Sequence, residues 1–441
     1  MIKEMKMNKT KSFCPVCKKI IGADVFEKGG SIFMKKNCVE HGVFEIKIAK
    51  YAWYYKGLNS YYDALYGSVN SKKNRGSTFT FDVASKCNLN CPICANPGNE
   101  GSKFSKSLFK NQIEMIKNRK MFIHLSGGGE PTLNDDLPEL IDIISKSGNA
   151  ASLVTNGVRI SEDFNYFKRL KESGLKNVCT WIDSVENEDV HQKMRGGRFI
   201  DLKMKLLHNA EKLKIPVKLL QVLAQRVNEQ EVKGCLDFAR RNDCISTFWI
   251  RSYSHFGNCG LSKEQEFENI DEVVEVVAEK SEGLFSIMDV FIFQKFLYAV
   301  SAISGQPMCY RDQVMIVPRK NEKSMRQIFD FDKTEKMLDE FKKIWQENRK
   351  KAKGYFIKKN IFKIVKNQPF FRLLLKKKLS SFGWDSFYSK GYLTVLISSS
   401  YNLLNCDISR INKQCLNFVV DQGSGEIYSR CIDTMGAKRV N

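Results

Sequence analysis

Long hydrophobic runs, prolines and acidic residues are what this chain has little of. Among 441 residues the longest charge-free stretch, Gly391–Cys406, is 16 residues long and carries serines and asparagines. That falls short of the roughly 20 apolar residues a membrane-spanning helix needs. Nine prolines exclude a collagen-like or proline-rich filament, and a 43% hydrophobic share excludes a chain disordered throughout. No apolar core of a secretory signal follows Met1-Ile2-Lys3-Glu4, which predicts a cytoplasmic chain with reduced cysteines. Asp and Glu number 49 against 71 Lys and Arg, a net charge of +22 that predicts an anionic partner or surface. The length exceeds one hydrophobic core and predicts several domains.

Cysteine is what the chain does have: 14 residues, unevenly placed. Cys179, Cys235, Cys244 and Cys259 stand singly and read as small buried hydrophobes, the last two flanking the apolar run Phe248–Ile250. The rest cluster. Residues 87–94 read Cys-Asn-Leu-Asn-Cys-Pro-Ile-Cys, so Cys87, Cys91 and Cys94 share one short loop. Three such thiolates can each take a different iron of a 4Fe–4S cube, leaving one iron for an exogenous group. A zinc site is the alternative, but it wants a fourth ligand, and within thirty residues only His124 follows.

Downstream of the trio, apolar strands alternate with amphipathic helices. Strands are expected at Met121–Ser126, Ala151–Thr155, Asn177–Ile182, Val217–Ala224 and Ser246–Tyr253. Helices are expected at Leu137–Ser147, Glu162–Glu172, Leu202–Leu213 and Glu229–Arg241. This alternation predicts a parallel sheet with its chemistry at the C-terminal strand ends. The first of these strands runs into Gly127-Gly128-Gly129-Glu130, glycines that allow close backbone approach to a ligand.

The trio, the Gly127–Glu130 turn and the six β/α units resemble the radical S-adenosylmethionine superfamily over roughly residues 78–256. The resemblance implies a cluster whose open iron is chelated by S-adenosylmethionine. It implies an external electron donor and a 5′-deoxyadenosyl radical that abstracts hydrogen from substrate. It also implies that Gly128, Gly129 and Glu130 hold the methionine amino group. Asn156, Asp183 and Arg195 are candidate substrate or cofactor contacts, or else loop and capping residues.

Near the N-terminus, Cys14-Pro15-Val16-Cys17 and Cys38-Val39-Glu40-His41 bracket a hairpin turning at Lys28-Gly29-Gly30. Cys14, Cys17, Cys38 and His41 suit tetrahedral zinc or a rubredoxin-like iron, and a domain so small would draw folding energy from the metal. With the aromatic run Tyr51–Tyr55, Met308-Cys309-Tyr310 and the segment Asn405–Cys431, the chain looks like the tetraether lipid synthase type, a group that also holds pterin methylases. That resemblance implies an auxiliary 4Fe–4S cluster on Cys309, Cys415 and Cys431, with Cys406 as a candidate fourth ligand. Relatives carry a Cys-Gly-Leu-Cys element where this chain has Asn74-Arg75-Gly76-Ser77, so the cluster served by that element is expected to be absent.

Arg349–Lys378 holds twelve Lys/Arg and no acid, with apolar residues at helical spacing. Such a stretch suits an anionic bilayer surface, or a helix packed on the protein with a solvated basic face. A nucleic-acid partner is disfavoured, since no base-stacking platform accompanies the charge. The expected architecture is α/β: a metal knuckle and linker at 1–60, a partial (β/α)6 parallel barrel at 76–256, and an auxiliary-cluster region at 257–441. The expected reaction is carbon–carbon bond formation or alkylation on a lipid chain. The alternatives are methylation or rearrangement of a small pterin-like heterocycle, and a zinc-knuckle nucleic-acid-binding protein.

Overall fold

The computed structural model describes residues 4–67, 78–97, 104–305, 308–309, 311–319, 324–356, 391–399, 402–414, 417–420 and 427–429. They form two compact units, one of residues 1–75 and 267–414, the other of residues 76–266 and 415–441.

In the first unit, β1 (Met5–Phe13), β2 (Ile20–Lys28), β3 (Ser31–Cys38) and β4 (Gly42–Ala49) form an antiparallel sheet in sequence order. Alternation of inward Val25, Ile32 and Met34, all fully buried, sets its register. The β2–β3 turn needs positive φ at both central positions, which Gly29 (59°) and Gly30 (79°) supply. Helix α1 (Ala52–Tyr66) follows the sheet.

The second unit begins with β5 (Thr78–Asp82), α2 (Lys106–Met115), β6 (Phe122–Ser126), α3 (Leu137–Lys146), β7 (Ala150–Val154), α4 (Val158–Glu162) and α5 (Phe164–Glu172). Then come β8 (Leu175–Trp181), α6 (Glu188–Arg195), α7 (Ile200–Lys212), β9 (Val217–Leu223), α8 (Glu231–Arg241) and β10 (Ile245–Ser252). Strands β5 to β10 pair in parallel in sequence order, so the α/β partial barrel is as the alternation of patterns predicts.

Returning to the first unit, the chain forms α9 (Ile270–Lys280), α10 (Ile287–Ser304), β11 (Gln313–Pro318), α11 (Met325–Ile328), α12 (Phe331–Glu347), α13 (Arg349–Gly354), β12 (Tyr392–Ser398) and α14 (Ile408–Gln414). Helix α10 is long and apolar enough to cross a membrane, yet 78% of it is buried inside the protein. It is a core helix, apolar on every side because α1 and α12 pack on it. Of the basic stretch, only 349–356 is described: Ala352 and Phe356 are buried, and Phe356 packs on Phe296 and Phe341. That beginning is a packed helix with exposed lysines, and residues 357–378 lie outside the described residues.

Near the C-terminus, β13 (Asn417–Val420) pairs in parallel with β5, and β14 (Ile427–Ser429) pairs antiparallel with β13. The strand arc is thereby extended by a hairpin from a remote part of the chain, which no local pattern announced.

Candidate functional site

The trio occupies the loop after β5, and backbone contacts rather than regular structure shape it. Cys94 N–H donates to Cys91 O at 3.1 Å. The glycine turn after β6 braces the strand leading into Cys87: Gly129 N–H donates to Ala84 O (3.0 Å) and Glu130 N–H to Lys86 O (2.8 Å). A side chain at Gly127 would overlap Ala84 O, and one at Gly129 would overlap Lys86 O. The turn can be this close only as glycine. On the other side, Asn258 N–H donates to Cys94 O (2.9 Å), Gly260 N–H to Pro92 O (2.9 Å), and the Asn258 side chain to Cys91 O (2.9 Å). Gly257 (φ 79°) has no room for a Cβ beside Cys94 O. Cys259 therefore sits, half-buried and at positive φ, in a latch on the cysteine loop rather than in the core expected for it. Cys244 is also only half-buried, whereas Cys179 and Cys235 are buried as expected.

The candidate residues at the strand ends converge. Glu130 is 2% exposed, and its carboxylate accepts from Thr132 N–H (3.0 Å), Thr132 Oγ1 (2.7 Å), Thr155 Oγ1 (2.5 Å) and Asn156 N–H (2.7 Å). What Glu130 holds here is the turn and the end of β7, while Gly128 and Gly129 remain half-buried. The Asn156 amide donates to Asn88 Oδ1 (2.7 Å) and lies 3.9 Å from Cys87 Sγ, tying the β7 end to the trio. Asp183 and Arg195 form a buried two-pronged ion pair, Nε–Oδ2 2.6 Å and Nη2–Oδ1 3.2 Å, with the guanidinium 4.5 Å from the Trp181 ring centre. Burial pushes the Cys91 and Cys94 thiols up, and the Arg195 charge opposes it. Thiols held protonated by burial release protons when a metal cluster binds them.

Sequence reasoning missed Lys203. It is fully buried, donates to Asn156 O (2.6 Å) and Thr180 Oγ1 (2.9 Å), and lies 3.6 Å from the Trp181 ring centre. Desolvation, then the Arg195 charge, pulls its ammonium down to about 7. No motif marks a lone lysine on an amphipathic helix.

The barrel strands bury one face completely and leave the other half-open. Ile123, Leu125, Leu153, Leu219, Phe248 and Ile250 are fully buried, whereas the alternate residues His124, Ser126, Val154, Leu220, Val222, Trp249 and Arg251 are partly accessible. Register joins Asp82 to this open face, because it pairs with Ser126. Lys218 on β9 lies 5.3 Å from the ring centre of Phe122 on β6, three strands away, which shows both on the concave side of a curled sheet. Several of these residues carry charge or hydrogen-bonding groups.

The N-terminal knuckle is preorganised for one metal ion. The ligand atoms of Cys14, Cys17, Cys38 and His41 all lie within 4.8 Å of one another, with Cys17 Sγ to Cys38 Sγ at 3.9 Å and Cys38 Sγ to His41 Nδ1 at 3.5 Å. A tetrahedral zinc with Zn–S of about 2.3 Å sets ligand edges near 3.8 Å, which these distances match. Beside it Lys36, 1% exposed, donates to Ser12 Oγ (3.0 Å) and to the carbonyls of Phe13 (2.8 Å), Leu403 (2.7 Å) and Leu404 (2.8 Å). Of the expected auxiliary ligands, Cys406 is buried and Cys309 half-buried, while Cys415 and Cys431 lie outside the described residues.

Residues 82–239 match the radical SAM superfamily, and residues 7–50 match the HMPTM N-terminal zinc ribbon domain. Over 302 residues the chain is 31% identical to 7,8-dihydro-6-hydroxymethylpterin dimethyltransferase of Methanocaldococcus jannaschii, covering 62% of this chain and 59% of that protein. Over 168 residues it is 33% identical to GTP 3′,8-cyclase of Aquifex aeolicus, covering 36% and 50%. Over 217 residues it is 25% identical to Fe-coproporphyrin III synthase of Methanosarcina barkeri, covering 48% and 53%. The chain thus spans between half and three-fifths of these relatives' lengths. The barrel is thus similar to the radical SAM superfamily, and the segment ahead of it is similar to a zinc ribbon.

Proposed function

We propose that this chain cleaves S-adenosylmethionine reductively and turns the radical on a pterin-like heterocycle, opening it to methylation. The observation that carries the substrate class is the polar open face of the barrel, with Asp82, His124, Ser126 and Arg251 on it. A lining that carries charged and hydrogen-bonding side chains suits a polar ring better than a hydrocarbon chain. The pterin dimethyltransferase among the relatives supports the same reading, and the lipid-chain expectation has no comparable support.

A 4Fe–4S cluster on Cys87, Cys91 and Cys94 would supply one electron to the sulfonium, releasing methionine and a 5′-deoxyadenosyl radical that takes hydrogen from substrate. The protein's part is to position. Gly127 and Gly129 fix the cysteine loop from one side and Gly257–Gly260 from the other. Glu130 and Lys203 fix the Asn156 backbone beside Cys87. The ribbon's three thiols and imidazole fit zinc in a structural role, since four protein ligands leave no open position.

The test is anaerobic turnover with reductant, S-adenosylmethionine and 7,8-dihydro-6-hydroxymethylpterin. 5′-Deoxyadenosine and a pterin product heavier by one or two CH2 groups are expected, and both should vanish when Cys87, Cys91 and Cys94 are replaced by Ala. Deoxyadenosine from the triple variant would overturn the radical assignment; an unmodified pterin with the wild type would overturn the substrate class.

A further inference from the structure

Asn156 lies just past the end of β7, and each of its polar atoms has a partner. Its N–H donates to Glu130 Oε2 (2.7 Å), and its carbonyl accepts from Lys203 Nζ (2.6 Å). Its side-chain oxygen accepts from Val158 N–H at 3.0 Å. That bond fixes which way the amide faces: with Oδ1 turned back to the chain, the NH2 points at the cysteine loop. Nδ2 donates to Asn88 Oδ1 (2.7 Å) and reaches Cys87 Sγ at 3.9 Å, a separation that the larger radius of sulfur allows. The residue is only 8% exposed, so water competes little for its second hydrogen. Gly157 (φ 84°), where a Cβ would overlap Leu206, holds the chain immediately beyond it.

Backbone amides reach the same sulfurs. Leu89 N–H donates to Cys87 Sγ at 3.5 Å, and the Asn96 N–H works against the burial that pushes the Cys94 thiol up. Three thiols on one loop, with amides aimed at two of them, fit metal-bound thiolates, whose sulfurs accept such bonds. Leu89 and Asn96 belong to the loop itself, whereas Asn156 comes from another strand, 69 positions from Cys87. We propose that Asn156 is a positioning residue for the electron chemistry: by donating to the Cys87 sulfur, its amide raises the reduction potential of the barrel cluster. This rests on the radical reading above. Reduction adds one electron to the cube, and part of that charge falls on the ligand sulfurs. A donor aimed at one of them stabilises the reduced form more than the oxidised one.

The experiment uses the full chain, anaerobically reconstituted, and measures the cluster midpoint by potentiometry with electron paramagnetic resonance. The signal followed is the one missing when Cys87, Cys91 and Cys94 are all replaced by Ala. Asn156→Ser keeps an oxygen for Val158 N–H but loses the reach to sulfur. It should disfavour reduction about tenfold, the worth of one hydrogen bond, which is about 59 mV for a one-electron couple. Asn156→Asp is isosteric and keeps the turn, but sets an acceptor against the sulfur. It should lower the midpoint further, a check that holds if the Ser variant loads poorly. The midpoint belongs to the loaded molecules, so reduced iron content alone does not move it. Less iron at an unchanged midpoint would make Asn156 a turn residue and overturn the proposal, as would a raised midpoint. Absence from the wild type of any signal that depends on the three cysteines would overturn the radical reading itself.

Discussion

At single residues, function here depends on glycines and buried charge as much as on thiols. A methyl group at Gly129 would lie 2.5 Å from the Lys86 carbonyl carbon and 2.6 Å from its nitrogen, both backbone atoms that cannot rotate aside. Gly129→Ala should therefore shift the strand entering Cys87, at a cost of about 1–3 kcal/mol. It should also lower iron and sulfide content after reconstitution below wild type, while Gly29→Asn, in an open turn, should not. Lys203 gives a pH signature. Its folded pKa of about 7 lies below the ordinary value near 10.4, so across that window the unfolded chain binds a proton the folded one lacks. Stability consequently rises with pH through this range, and the penalty is fullest below pH 7. Lys203→Met removes that penalty, so its thermal midpoint relative to wild type should be more favourable at pH 7 than at pH 10. An equal difference at both values would show that Lys203 folds charged, held by the Trp181 ring and its two acceptors.

Individual elements were unevenly legible. The barrel strands and the helices between them could be read because apolar residues recur at strand and helix periods, and expected and observed ends differ by a residue or two at most positions. The knuckle could be read because ligand spacing fixes a hairpin. Asp82, Trp249 and Arg251 could not be singled out, since which face of a parallel strand opens to the lumen follows from register and curl. Lys36 was equally hidden: its partners Leu403 and Leu404 lie 367 and 368 positions away, beyond any local pattern. That lysine links the ribbon to the segment before α14, along with Thr10 Oγ1 donating to Asp407 Oδ1 (2.5 Å) and Lys11 N–H to Ser409 Oγ (3.3 Å). Because a ribbon of this size depends on its metal for folding, removal of zinc should loosen the docked segment too. Treatment with a chelator, or Cys38→Ala, should reduce zinc from about one per chain to near zero. It should also raise hydrogen exchange over 402–414. Loss of zinc with unchanged exchange there would separate the two.

For the whole molecule, the open question the cysteines raise is how many clusters one chain holds. Three thiols serve the ribbon and three the barrel loop, while Cys179 on β8 and Cys235 on α8 are buried singly. Cys309 is half-buried, close enough to Tyr62 and Tyr298 for its charge to push their hydroxyls further up after burial has done so. Cys406 is buried within electrostatic reach of Lys36, whose pKa burial lowers to about 8. The expected auxiliary cluster on Cys309, Cys415 and Cys431 then predicts about eight inorganic sulfides per anaerobically purified chain, four from each cube. Replacing Cys309 with Ala should lower that figure toward about four while leaving zinc at about one and preserving reductive cleavage of S-adenosylmethionine at the barrel loop. A wild-type figure of about four would remove the auxiliary cluster, leave Cys309 and Cys406 as buried thiols, and confine the iron chemistry to Cys87, Cys91 and Cys94.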